Sequence, residues 1–492
     1  MRKLLLATVA VLGGSMGVAA VADAQTASPA PGTVTVRLNG RVRFYAFVTA
    51  DRDVDNNLAG SAAVVNAAGV TTTPNGLTPQ NGTNKQAGYG FGDYARLYPG
   101  FDGVAANGLK YGASLEIRQD QVSGAGGGVY GSVSGQNRAR AGLYFRREWG
   151  YIGTDQLGTI RLGSTDQPSS LYMTGNFENF DGGGLNGDIP GLMSGNVNIT
   201  WPFADVGNLY TTMKAVYLSP QFFGFDAGVS FEPNTGNVSI NNSCNGASPI
   251  GTNFTNSAGA FTAAAGANGQ GVSGPGCERL SSSPVNGESG RRRNTIDALL
   301  RYRGTFGGFG IAATGGYIGS GNVKDNSGFA FNNDVRAGGL RPNFDGLDVG
   351  DFGVAFTYGG FSVGGKYQFG RFNGQWGLAP KGLADGEAFL GGASYTVGPL
   401  VVGAHYLKYK SAGDAGNAFF GRQRTEQGVA AGATYTLAPG LSVFLSYVFN
   451  ERKQNGFNFI TGQGVTATAP GGNLNNNKTT GQIIAVGTGF SW

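Results

Sequence analysis

A chain of 492 residues that holds 89 glycines but only 13% charged residues differs from ordinary soluble domains, in which about 25% of residues are charged. Its net charge of +5 is small and its charged residues are mostly dispersed along the predicted strands, which argues against a nucleic-acid-binding protein despite a pI near 9.0. Beyond the first residues no stretch reaches the roughly 18 consecutive apolar residues of a membrane helix, which excludes a helical membrane protein.

At the start, Arg2 and Lys3 precede the apolar run LLLATVAVLGGSMGVAAV, which ends in the small-residue pattern Ala22-Asp23-Ala24. This is the layout of a secretory signal peptide cleaved after Ala24. It assigns residues 1–24 to export and residues 25–492 to one mature domain that is nearly balanced in charge.

The first mature element is TVTVRLNGRVRFYAFV, Thr33 to Val48. Its even positions are apolar or glycine, whereas Arg37, Asn39, Arg41 and Arg43 occupy odd ones. A period of two predicts a strand. Similar runs follow in LKYGASLEIR from Leu109, FDAGVSFE from Phe225, DFGVAFTY from Asp351, FSVGGKYQF from Phe361 and LSVFLSYVF from Leu441. No convincing amphipathic helix follows residue 32.

The connections alternate in length. Short turns rich in Gly, Asn and Pro fall at 106–108, 155–158, 219–224, 304–308, 359–360, 398–399 and 438–440, matching hairpin chemistry. Longer segments lie near 51–92, 120–137, 164–207, 233–292, 319–350, 373–386, 411–424 and 451–478. Fifteen connections imply sixteen strands. Strict short-long alternation is the pattern of an all-β, antiparallel up-and-down barrel across an outer membrane, with short periplasmic turns and long extracellular loops. Both mature termini then fall on the short-turn side, so the first strand can close against QIIAVGTGFSW. Closure removes the sheet edges that lipid cannot satisfy.

In such a barrel the apolar face of the first strand meets lipid, and Arg37, Arg41 and Arg43 line a water-filled lumen. The same parity places Arg96, Lys110, Glu116, Arg118, Arg138, Arg140, Arg146, Arg161, Arg301 and Lys366 inward. Arg147 and Glu148 break the alternation beside Arg146 and mark a bulge or a rim position. Ser164 to Asn208 contains Asp166, Glu178, Asp181, Asp188 and Asp205 but no Lys or Arg. Folded outward it is a solvated acidic loop; folded inward it opposes acids to arginines at a constriction.

The hairpin YFRREWGYIGTDQLGTIRLGSTDQP from Tyr144 resembles the fourth and fifth strands of Gram-negative general porins. KAVYLSPQFFGFDAGVSF from Lys214 and TYTLAPGLSVFLSYVF from Thr434 are similar to later porin hairpins, and Phe490-Ser491-Trp492 to the porin C-terminal aromatic. Ser164 stands where many relatives carry an arginine after Leu-Gly. The resemblance implies a sixteen-stranded trimeric channel of the outer membrane, embedded among lipid and lipopolysaccharide. Its third long loop would fold into the lumen, and small hydrophilic solutes and ions would pass by passive diffusion. Carried over, Glu178, Asp181 and Asp188 become constriction residues on the loop side, and Arg118, Arg138, Arg140 and Arg161 become wall residues. A solute-selective sugar or anion channel and a plugged structural or adhesive barrel are the alternatives.

Other chemistry is sparse. Cys244 and Cys277 share one long segment of an exported chain and read as a disulfide rather than a metal or redox site. His405, the sole histidine, has no G-x-S-x-G elbow near it, so no enzyme, cofactor or metal is expected.

Overall fold

The computed structural model describes residues 29–51, 64–65, 71–72, 88–120, 143–176, 180, 184–185, 189–193, 197–203, 212–234, 253–255, 261–263, 292–322, 344–374, 376–380, 382–413, 423–459, 463–464 and 477–492. Sixteen strands form the barrel: β1 (Thr33–Asp51), β2 (Tyr89–Val104), β3 (Lys110–Asp120), β4 (Tyr144–Thr154), β5 (Gly158–Ser164), β6 (Met213–Leu218), β7 (Phe225–Asn234) and β8 (Arg293–Phe306). The second half continues with β9 (Phe309–Gly319), β10 (Asp348–Tyr358), β11 (Phe361–Arg371), β12 (Gly386–Val397), β13 (Leu400–Ser411), β14 (Arg424–Ala438), β15 (Leu441–Gln454) and β16 (Lys478–Ser491).

Each strand pairs antiparallel with its sequence neighbours, and β1 closes on β16 from Arg41↔Ser491 to Asp51↔Gly481. All sixteen therefore share one closed sheet. The hairpins on one rim are tight because their turns adopt positive φ, which glycine supplies at no steric cost. Gly359 and Gly360, at φ +54° and +90°, form the type that matches strand twist. The seven short and eight long connections predicted from sequence are all present.

Side-chain parity follows the predicted logic in β1 to β4. Val34, Val36, Leu38, Phe44 and Val48 are exposed on the outer face, while Asn39, Arg43 and Tyr45 are buried on the inner one. The predicted irregularity beside Arg146 is a β-bulge: the register of β3 and β4 shifts between Glu116 and Ile117.

From β12 to β16 the inner face departs from expectation. Leu390, Leu407, Ala430, Val448 and Ile483 point inward yet are at most 1% exposed. They form one core with Leu185, Ile189, Met193, Val197, Ile199, Trp201 and Phe203 of the third long connection. In β15 the inward side of the run LSVFLSYVF thus carries the apolar Phe444 and Val448, both buried, while the outward Leu445 stays exposed.

Candidate functional site

The inner face divides into a polar arc and an apolar one. Arg37, Arg41, Arg43, Arg96, Arg118, Arg146, Arg147 and Arg161 converge on the polar arc of β1 to β5. The carboxylates facing them among the described side chains are Asp102, Glu116 and Asp166. Register sets Arg41 opposite Arg96 and Arg96 opposite Arg118, so three guanidinium groups follow one another around adjacent strands.

Two carboxylates organise this wall. Glu116 accepts from Arg118 and Arg147 and, at 2.9 Å, from Arg146 Nη1. The bulge makes this possible, because it turns two consecutive arginines toward one acid. Arg147 also pairs with Asp166, the first acid of the third long connection. Asp102 accepts from Arg37 Nη2 at 3.3 Å and from the Tyr151 hydroxyl.

Aromatic faces hold the remaining guanidinium groups. The Tyr94 ring lies 5.3 Å from Arg41 Cζ, 5.6 Å from Arg43 Cζ and 4.2 Å from Arg96 Cζ. Arg161 sits 4.3 Å over Trp149. Such contacts retain a cation without neutralising it. Arg41 and Arg161 form no salt bridge among the described residues, although the Asp166 carboxylate acts on Arg161 from farther off.

The third long connection leaves β5 through Thr165, Asp166 and Gln167 and enters a single helical turn, α1 (Pro168–Leu171). Asp297, buried on β8, accepts the Ser169 backbone N–H at 2.9 Å and the Ser169 hydroxyl at 2.6 Å. Lys214 donates to the Thr165 carbonyl at 2.8 Å. Beyond α1, Tyr172 receives Arg301 3.9 Å over its ring, while Arg301 grips Asp226 with two nitrogens at 2.9 and 2.7 Å. Burial, reinforced by the Asp226 carboxylate, pushes the Tyr172 phenol above its ordinary pKa, so it stays neutral. Farther along, Phe180 packs edge-on to His405 over Gly403, where any Cβ would lie 2.1 Å from the Phe180 ring. Ile199 and Leu185 reach Gly428 on β14 in the same way.

Of the residues singled out from sequence, Arg37, Arg41, Arg43, Arg118 and Arg161 lie together on the inner wall. Glu178, Asp181, Asp188, Arg138, Arg140, Cys244 and Cys277 lie outside the described residues. Ser164 donates to the Met213 sulfur at 3.5 Å. Lys366, expected to face water, is completely covered, paired with Asp351 beneath Phe203. Sequence reasoning left Arg147 open and missed Arg303, which reaches Asp226 at 2.8 Å, as well as the rings of Tyr94, Trp149 and Tyr172. Inward parity was the available signal for Arg303 and Tyr94, whereas Trp149 lies past the bulge and Tyr172 past α1, where it does not apply; inward aromatics also carry no mark that they will support a guanidinium.

The Gram-negative porin family matches residues 7–455. The chain belongs to that family. It is an outer-membrane porin channel, and the arginine arc lies on the inner face of its barrel. The porin is similar in structure to the anion-selective porin from Comamonas acidovorans, at 16% identity and a TM-score of 0.48, covering 94% of this chain and 100% of the other. It is also similar to a loop-deletion mutant of OmpT, an outer membrane protein of Vibrio cholerae, at 11% identity and a TM-score of 0.46, covering 93% and 99%. A triple mutant of Rhodopseudomonas blastica porin aligns at 13% identity and a TM-score of 0.43, covering 93% and 100%. No curated protein sequence matches the chain.

Proposed function

We propose that the porin passes small hydrophilic solutes and ions by passive diffusion through a water-filled lumen, and that passage favours anions. The observation that carries this reading is the arginine arc, in which Arg41, Arg96 and Arg118 stand in register with Glu116 as the adjoining acid. Fixed positive charge along an aqueous passage raises the local anion concentration and lowers that of cations. Glu178, Asp181 and Asp188 form the opposing side of the constriction in this proposal, giving a field transverse to the pore. Planar-bilayer recording in a KCl gradient tests both parts. Stepwise conductance with an anion-favouring reversal potential is expected; a cation-favouring one overturns the selectivity.

The apolar core inside the barrel favours a second reading, a barrel plugged by its own connections. In the same recording that reading gives no conductance steps.

The mature form in this proposal is residues 25–492 after cleavage behind Ala24, tethered in one extracellular loop by a Cys244–Cys277 disulfide. It assembles as a homo-oligomer, a trimer, in the outer membrane among lipid and lipopolysaccharide. The outer face of β1 and β2 supports this, since Val36, Leu38 and Phe91 leave a broad apolar surface that neighbouring copies can cover. Light scattering in mild detergent should give a trimer mass, and a monodisperse monomer refutes it. His405 serves packing against Phe180 rather than catalysis, and no cofactor enters the function.

A further inference from the structure

The arginines of the inner face stand at two depths. Arg41, Arg96 and Arg118 each lie eight residues from the short-turn side of their strands, at Thr33, Val104 and Lys110. Arg161 lies only three residues from Gly158, Arg303 three from Phe306 and Arg301 five from Phe306. A difference of five residues is about 16 Å of strand at about 3.3 Å each, and a tilt of about 40° makes that about 12 Å along the barrel axis. Arg161 and Arg303 therefore belong to a level of their own, nearer the short-turn rim.

Because β5 is only seven residues long, the third connection leaves it far below the opposite rim. Asp297, which holds Ser169, stands nine residues from Phe306. From there the chain descends through α1 to Tyr172, whose ring lies under Arg301. Arg161 and Arg303 both act on the Tyr172 phenol through space. Groups from β5, α1 and β8 thus share one chamber on the short-turn side of the third connection. It is rich in donors and poor in acids. Asp226 holds Arg301 and Arg303 together, while Arg37 and Asp102 offset each other on the neighbouring strands. Four guanidinium groups against two carboxylates leave a net charge of +2. Arg161 rests on Trp149, and its buried Nε has no hydrogen-bond partner. Asp166, the acid that acts on it, is paired with Arg147. The Tyr172 side chain enters no hydrogen bond among the described residues, although its backbone N–H and carbonyl both do.

We propose that this chamber binds a small divalent oxyanion, held between Arg161, Arg303 and the Tyr172 hydroxyl below the third connection. The proposal rests on the anion-favouring porin reading and adds a binding step at a second depth. The uncompensated charge of two selects a dianion over chloride. Donors that arrive from three separate elements require an anion with several oxygens, since each oxygen then accepts from a different side. Phosphate- or sulfate-bearing solutes and dicarboxylates share that chemistry.

The test records full-length mature protein in a planar bilayer in dilute KCl while sodium sulfate, inorganic phosphate, disodium succinate or sodium methanesulfonate is added. Sulfate should lower the chloride current along a saturating curve, whereas methanesulfonate, which carries one charge, should give no saturating block. Tyr172→Phe removes one hydroxyl and no charge, so a general field effect predicts no change. The site predicts a half-blocking sulfate concentration about tenfold higher, the loss of one hydrogen bond to a charged group. Arg161→Gln should raise it by at least about tenfold, and the Tyr172 arm stands even if that variant fails to fold. Tyr367→Phe, whose lost hydroxyl faces Glu387 on the outer wall, should leave the sulfate block as it was. Tighter block by sulfate and phosphate than by succinate assigns the phosphate- or sulfate-bearing class; the reverse order assigns dicarboxylates. Three outcomes overturn the proposal: no saturating block by any dianion, equal block by methanesulfonate, or an unchanged sulfate block in Tyr172→Phe. An anion-favouring channel that gives one of these sinks only this inference, whereas a cation-favouring channel or a protein that never conducts sinks the reading beneath it.

Discussion

Replacing Arg41 and Arg161 by glutamine is the sharpest perturbation of the lumen, because each guanidinium rests on a ring rather than on a carboxylate. Their removal leaves no buried acid unpaired, so the barrel should fold and the change should appear in ion selection alone. For an ion passing about 5 Å away in water, one unit charge is worth about 0.8 kcal/mol. A screening length of about 10 Å at 0.1 M salt leaves about 0.5 kcal/mol of this. The anion loses what the cation gains, so each substitution changes the anion-to-cation preference by about 1 kcal/mol and the pair by about 2 kcal/mol, up to about thirtyfold. At 1 M salt the screening length falls to about 3 Å and the same double variant should shift the preference only about threefold. The assay is reversal potential in a planar bilayer under a tenfold KCl gradient, repeated at both salt levels. A conducting double variant whose reversal potential at low salt equals that of the unmodified protein would show that the ion path does not follow this arc.

Glu178→Gln with Asp181→Asn should move reversal potential the other way, toward stronger anion preference at low salt; no change in either conductance or reversal potential would place that loop outside the ion path. Glu116→Gln leaves three arginines around a neutral amide and should destabilise the barrel by about 3–5 kcal/mol, read as a lower temperature for loss of the folded band on an unheated gel. Asp297→Ala removes both contacts that hold Ser169, about 2 kcal/mol for two hydrogen bonds; noisier and larger conductance is expected, and an unaltered trace would show that α1 is held by other contacts. Cys244 and Cys277 should resist maleimide in unreduced outer membranes, since their loop closure is worth about 3–4 kcal/mol in the chain-entropy account; labelling of both thiols would disprove the pairing.

The strand count and the closed topology were legible because they rest on local signals. Period-two runs and Gly-Asn-Pro turns act over a few residues, and the alternation of short and long connections survives any uncertainty in a single boundary. The inward arginines Arg37, Arg41 and Arg43 were readable for the same reason: parity along one strand decides which side a residue takes. Even the bulge at Arg146 and Arg147 announced itself as a break in parity.

Sequence alone therefore determined the barrel, its sixteen strands and the identity of the residues that can face its interior. Only tertiary structure decided which of those inward residues meet water. Lys366 has the same parity as the wall arginines, yet it is covered because Phe203, from a distant connection, lies over it and Asp351 neutralises it. Leu390, Val448 and Ile483 face inward although nothing polar recommends them, because Leu185, Ile199 and Trp201 arrive from another part of the chain to bury them. Parity is a property of one strand's backbone. Burial depends on which remote segment packs against that face, and no local pattern records it.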